Sequence, residues 1–149
     1  MAKVQKSDVS LRIAGDDLVP AEITALLGAS PSHAHVKGER GKHIVGPKIG
    51  DVRVARSGQW RFDASDREPE DMDGQIREIL SQMTCDLAVW CSITKRYRVD
   101  LFCGLFLRGD YGGMSLSPQS LTALGERGIQ ISLCIYAGDD DDNEYEKST

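Results

Sequence analysis

Between Val99 and Tyr136 two stretches alternate apolar and other residues with a period of two, and a helix start separates them. Val99, Leu101, Cys103, Leu105 and Leu107 share one face of the first; Ile129, Ile131, Leu133 and Ile135 share one face of the second. This period marks strands of a sheet that buries one side. Between them Gly112-Gly113-Met114-Ser115-Leu116-Ser117-Pro118 turns the chain into a helix to about Arg127. Ser117 is its predicted N-cap, Leu116 and Leu121 its hydrophobic staple, and Gly128 closes it. The expectation is a one-sided core of mixed helix and sheet.

The remaining chain extends that pattern. Val9, Leu11 and Ile13 alternate with Ser10, Arg12 and Ala14 in a half-buried strand. A short helix follows, with Pro20 at its first position, Leu18 and Ile23 as staple and Gly28 as its left-handed end. Glycines and Pro47 break up residues 29–57, predicting a long irregular loop with one ragged hairpin. A strand is expected over 57–63, with Trp60 and Phe62 on one side. A helix is expected over 68–83, where Met72, Ile76, Ile79, Leu80 and Met83 keep helical spacing. Leu87, Val89, Cys91 and Ile93 alternate as a strand would, and Lys95-Arg96-Tyr97 reads as a tight turn into the next one. The order over about 57–137 is therefore βαββαβ, a ferredoxin-like unit. The predicted class is α+β: that unit with an extra N-terminal β-α, a mainly antiparallel sheet of five to seven strands, and three helices largely on one face. The helix starts Leu18-x-Pro-x-x-Ile-Thr-Ala-Leu and Leu116-x-Pro-x-x-Leu-Thr-Ala-Leu match, through either internal duplication or shared capping chemistry.

Composition narrows the setting. The formal net charge of the 149-residue chain is −5. Residues 139–149 alone carry six acids against Lys147, so the other residues balance 17 acids with 17 bases. Residues 1–138 are expected to form one globular domain, and 139–149 an acidic disordered tail. No apolar run approaches the ~20 residues that span a bilayer. No signal-peptide core follows Met1-Ala2-Lys3. The four widely spaced cysteines, three of them in strand patterns, read as reduced thiols, and the expected location is cytoplasmic. A near-neutral body with an acidic tail disfavours nucleic acid as a partner.

Several segments together resemble the bacterial family grouped as domain of unknown function 4279. They are Leu11 through Leu18, Pro20 through Gly28 with Pro31 and His35, Arg56-Ser57-Gly58-Gln59-Trp60, Gly113 through Pro118, and Ile135-Tyr136. The resemblance covers nearly the whole chain. Val19 departs from it, standing where such proteins carry an aspartate as helix cap. The resemblance implies no particular reaction; it associates some members with immunity proteins that bind a toxin.

Three groups of residues carry candidate chemistry. Lys37, Arg40, Lys42, Lys48, Arg53, Arg56 and Arg61 oppose only Glu39 and Asp51, so the 33–61 segment offers an anion site. The competing reading pairs these cations with the seven acids of residues 63–78. His33 and His35, with His43, have a spacing seen in metal sites but lack further ligands. Trp90, Phe102, Phe106, Ser132, Cys134 and Tyr136 fall on the sheet face opposite the helices. Left open, that face is a partner surface, a ligand groove or a stacking platform. The preferred expectation covers it with residues 29–62, Trp60 and Phe62 packing there.

The expected function is non-catalytic recognition of another protein through the 33–61 loop and nearby sheet, an immunity-type inhibitor being its sharpest form. A domain binding a small molecule or anion is the alternative, and a hydrolase or metal enzyme the third class. No cofactor is expected, and a homodimer is one of the partners considered.

Overall fold

The computed structural model describes residues 3–41, 44, 48–50 and 52–138. Among the described residues eight strands and four helices follow one another as β1 (Lys6–Gly15), α1 (Pro20–Leu27), β2 (His33–His35), β3 (Arg40–Gly41), β4 (Lys48–Ile49), β5 (Val52–Val54), β6 (Gly58–Asp63), α2 (Met72–Leu80), α3 (Leu87–Arg96), β7 (Arg98–Phe106), α4 (Pro118–Glu126) and β8 (Gln130–Tyr136). The class is α+β. A five-stranded sheet has the order β2-β6-β1-β7-β8, and β3-β5-β4 form a small second sheet. All pairs in the large sheet are antiparallel except β7 with β8, whose parallel pairing requires the crossover that α4 supplies.

The central strand sets the register of the core. Ser7, Val9, Leu11 and Ile13 are at most 1% exposed. Leu11 lies opposite Phe62 on one side and Leu101 on the other, and Ile13 opposite Trp60 and Val99. Residues paired across antiparallel strands point to the same face. One continuous apolar row therefore runs beneath the helices. Ile23 and Leu27 of α1, Met72, Ile76 and Ile79 of α2, and Trp90 and Ile93 of α3 pack against it.

Three sequence expectations need correction. Residues 87–96 are helical, so the order from β6 onward is βααβαβ rather than ferredoxin-like, and there are four helices rather than three. Leu87, Val89, Cys91 and Ile93 alternate, yet the buried residues are Trp90, Ile93 and Tyr97, at helical spacing. The Asp86 carboxylate caps this helix by accepting from the Ala88 N–H at 3.0 Å, and Lys95 and Arg96 suit its negative end. In β8, Ile129 just ahead of the strand is buried, but Leu133 and Ile135 are 54% and 60% exposed because no described helix reaches over them. In α4 the expected staple residue Leu121 is 51% exposed, and the helix buries Ser120 and Leu124 instead. The two matching helix starts are thus used in different phase, since α1 buries Ile23 at the position corresponding to Leu121.

Other expectations hold. Gly28 closes α1 with φ 74° and donates to the Thr24 carbonyl, and Val19 makes no side-chain cap. Helix α2 is shorter than the 68–83 expected, and its N-cap Asp71 accepts from Gly74 N–H at 3.1 Å. An alanine Cβ at Gly74 would collide with that carboxylate, which explains a glycine in a first turn. The irregular 29–57 segment contains the short strands β2 to β5.

A buried polar clamp fixes α2 to the sheet. The Ser7 hydroxyl donates to Gln75 Oε1 at 2.6 Å, while Gln75 Nε2 donates to the carbonyls of Ser7 and Ser65 at 2.8 and 3.0 Å. Both side chains are fully buried. A second clamp joins α2 to α4: Asp73 Oδ1 accepts from the Ser117 amide and from the Ser117 and Ser120 hydroxyls. Burial pushes the Asp73 carboxyl up, but these hydrogen bonds prevail and hold it below the ordinary value. Replacing Gln75 by leucine takes away the acceptor of the buried Ser7 hydroxyl proton and the side-chain donor to the Ser7 and Ser65 carbonyls. We expect Gln75→Leu to lower unfolding free energy by about 2–3 kcal/mol in urea titrations.

Candidate functional site

Because the helices lie on one side, the even-numbered residues of β1 and β7 project from the other. No described element crosses that face: the side chains on it are half-buried or exposed. Among the described residues, the expected cover by residues 29–62 is not formed. Trp60 is fully buried on the core side, donating to Thr24 Oγ1 at 3.1 Å, and Phe62 packs beside it with ring centroids 6.3 Å apart. Trp90, expected on the open face, is fully buried in α3 and donates to the Thr84 carbonyl at 2.8 Å.

The middle of the open face is an ordered polar and aromatic network. Arg12 binds Asp100 through two nitrogens, Nε to Oδ1 at 2.8 Å and Nη2 to Oδ2, and the Ser132 hydroxyl donates to the same carboxylate at 2.8 Å. The Arg12 guanidinium lies 4.5 Å from the centre of the Phe102 ring. Phe106 and Tyr136 stack with centroids 4.8 Å apart, and Lys6 Nζ lies 5.3 Å from the Phe106 ring. Lys6 also pairs with Asp66 at 3.3 Å, and the neighbouring Asp8 carboxyl is pushed up by sharing a hydrogen bond with Asp66.

Toward the β2 edge, Arg61 meets Asp63 at 3.0 Å, Ser10 donates to Asp63 at 2.7 Å, and His33 Nε2 lies 3.8 Å from Asp63. His35 follows on the same face, since β2 pairs with β6 through His33–Arg61 and His35–Gln59. The structure thus brings His33, His35, Arg61, Phe102 and Tyr136 onto one surface and leaves Trp60 and Trp90 off it. Arg12, Phe106 and Asp100 complete that surface. For Arg12 the signal was its position opposite Leu11 and Ile13 in an alternating strand.

The basic segment is more divided than its charge suggests. Lys37 pairs with Asp16 at 3.3 Å, and Arg61 with Asp63. The carboxylates of α2 and its approach pair instead with Arg67, which reaches Asp71 at 3.2 Å and Glu78 at 2.8 Å. Arg53 on β5 and the exposed Arg56 make no ion pair among the described residues. Lys42 and His43 lie outside the described residues, as does the side chain of Lys48. Among the described residues no three His, Cys, Asp or Glu side chains gather to hold a metal ion.

Where the open face meets the α3–β7 junction there is a concavity of about 540 Å³, lined by Arg12, Gln59, Tyr97, Arg98, Asp100 and Gln130 among others. Arg53, Arg56 and Arg61 do not line it. Tyr97 packs against Gly15, where any Cβ would strike its ring, and its buried hydroxyl has no hydrogen-bond partner among the described residues.

Two expectations follow from this chemistry. Burial pushes the Asp100 carboxyl up, but hydrogen bonds from Arg12 and Ser132 outweigh it and hold the group below its ordinary value. Its stabilising effect is then complete above the unfolded aspartate value of about 3.9 and disappears as pH falls through the lower folded value. Asp100→Asn should therefore be less stable than the native chain near neutrality, with the gap in urea midpoints closing in strong acid. Burial raises the Cys103 thiol to about 12, whereas Cys85 and Cys91 are exposed. Iodoacetamide at neutral pH should modify Cys85 and Cys91 and spare Cys103 until the protein unfolds, read by mass spectrometry.

No helix among the described residues is long and apolar enough to cross a membrane. No curated protein and no solved structure matches the chain. A family model does match, over residues 3–138, and by that match the chain belongs to the family described as domain of unknown function (DUF4279).

Proposed function

We propose that this domain is a non-catalytic recognition module that binds another protein through the open face of its large sheet and the adjoining His33–Arg61 rim. The observation that supports it is the one-sided core, which leaves Phe102, Phe106 and Tyr136 part-exposed among preformed ion pairs. Aromatic and arginine side chains are the common anchors of protein interfaces, and side chains already held by neighbours lose less freedom on binding. Its sharpest form is inhibition of a toxin, the immunity role associated with some members of the family it resembles. This reading sets the domain in the cytoplasm, in keeping with four cysteines that form no disulfide.

A second reading is supported by Arg98, an exposed cation without an ion pair among the described residues, at the rim of the 540 Å³ concavity. There a small anion would meet Arg98 and the amides of Gln59 and Gln130.

One experiment separates the two. The full chain is immobilised against lysate of its source organism, and any stoichiometric partner is identified and its affinity measured. Phe102→Glu should weaken binding about 30-fold, the ~2 kcal/mol of an interface anchor, whereas Leu121→Glu on the helical side should not. Failure to find such a partner, or equal binding by Phe102→Glu, contradicts the protein-binding reading. Inorganic phosphate raising the melting temperature of the native chain but not of Arg98→Ala would favour the anion instead.

A further inference from the structure

Among the described residues, strand β8 ends the large sheet with an edge that carries none of the usual protection. Natural edges are commonly blunted by charge, proline or a bulge that prevents further pairing. Gln130–Tyr136 contains no charged residue and no proline, and its Leu133 and Ile135 are more than half exposed. The Leu107 N–H donates to the Tyr136 carbonyl at 2.8 Å, so the backbone of Tyr136 faces β7. Strand geometry then turns the backbone groups of Ile131, Leu133 and Ile135 outward. No described strand pairs with that side.

We propose that β8 is the interface of a two-fold homodimer, in which the β8 strands of two copies run antiparallel and merge two five-stranded sheets into one. The strand is self-complementary about Leu133. Pairing centred there sets Leu133 against itself and Ile131 against Ile135 of the second copy. All outward backbone groups are then engaged, each pair exchanging two N–H···O bonds. On the helical side the three apolar residues of each copy form one row. On the open face Ser132 meets Cys134, and no like charges oppose each other. The described residues end at Gly138, at the end of β8 that lies beside Gln130 of the second copy, and the exposed Arg98 lines the same concavity as Gln130. The four aspartates that follow Gly138 in sequence are opposite in charge to Arg98. A two-fold axis perpendicular to the sheet keeps both helical layers on one side and joins the two open faces on the other.

Light scattering on the eluting full chain tests this directly. The expected mass is about 33 kDa, twice the 16.3 kDa chain, falling to the monomer value on dilution. Leu133→Lys, which sets two cations together at the dyad, should elute as a monomer with an unchanged far-ultraviolet spectrum. Hydrogen exchange on the unmodified chain supplies a test that needs no variant. The amides of Ile131, Leu133 and Ile135 should be protected in the dimer and exchange freely after dilution. A monomer at every concentration overturns the proposal, as does a dimer that Leu133→Lys leaves intact or one in which those amides exchange freely.

Discussion

Antiparallel neighbours on both sides make β1 the strand on which the two faces of the large sheet are decided. Its alternation commits Ser7, Val9, Leu11 and Ile13 to the helical side and Lys6, Asp8, Ser10 and Arg12 to the other. A slip of one residue would exchange the two rows and place Arg12 in the core, at a desolvation cost no nearby partner there would offset. The Ser7–Gln75 clamp reinforces the register, because a buried hydroxyl and amide are satisfied only when strand and helix meet at one offset. The open face therefore follows from the same alternation that builds the core.

What occupies the open face is equally a matter of geometry. Arg12 and Asp100 are opposite each other across β1 and β7, and Ser132 reaches the same carboxylate from β8. Surface ion pairs contribute little stability individually. Here three strands share one carboxylate and an arginine lies over an aromatic ring, so the arrangement holds Phe102 and its neighbours in place. A surface fixed in this way suits recognition.

Much of this was legible in the sequence, but unevenly. Strand β1, helix α1 with Pro20 and Gly28, strand β7 and the cap at Ser117 all follow from local rules that tertiary structure did not overrule. Helix α3 is ambiguous in sequence because Leu87, Val89, Cys91 and Ile93 satisfy a period of two while Trp90, Ile93 and Tyr97 satisfy a helical one. Asp86 and the basic pair Lys95-Arg96 carried the deciding signal. For β8 the period identified the correct face. Periodicity records which side chains share a face and not whether another element covers them, so Leu133 and Ile135 were expected to be buried. The same limit applied to Trp60, whose alternation with Gln59 and Arg61 left open which side met the helices.

Solvent accessibility of the two sheet faces tests the central claim most directly. Hydroxyl-radical footprinting of the folded chain, read by mass spectrometry, should oxidise Phe102, Phe106 and Tyr136 readily while Trp60 and Trp90, despite greater intrinsic reactivity, stay protected until unfolding. Protection of Phe102 and Phe106 to the same degree as Trp60 would show a covered face and contradict the account.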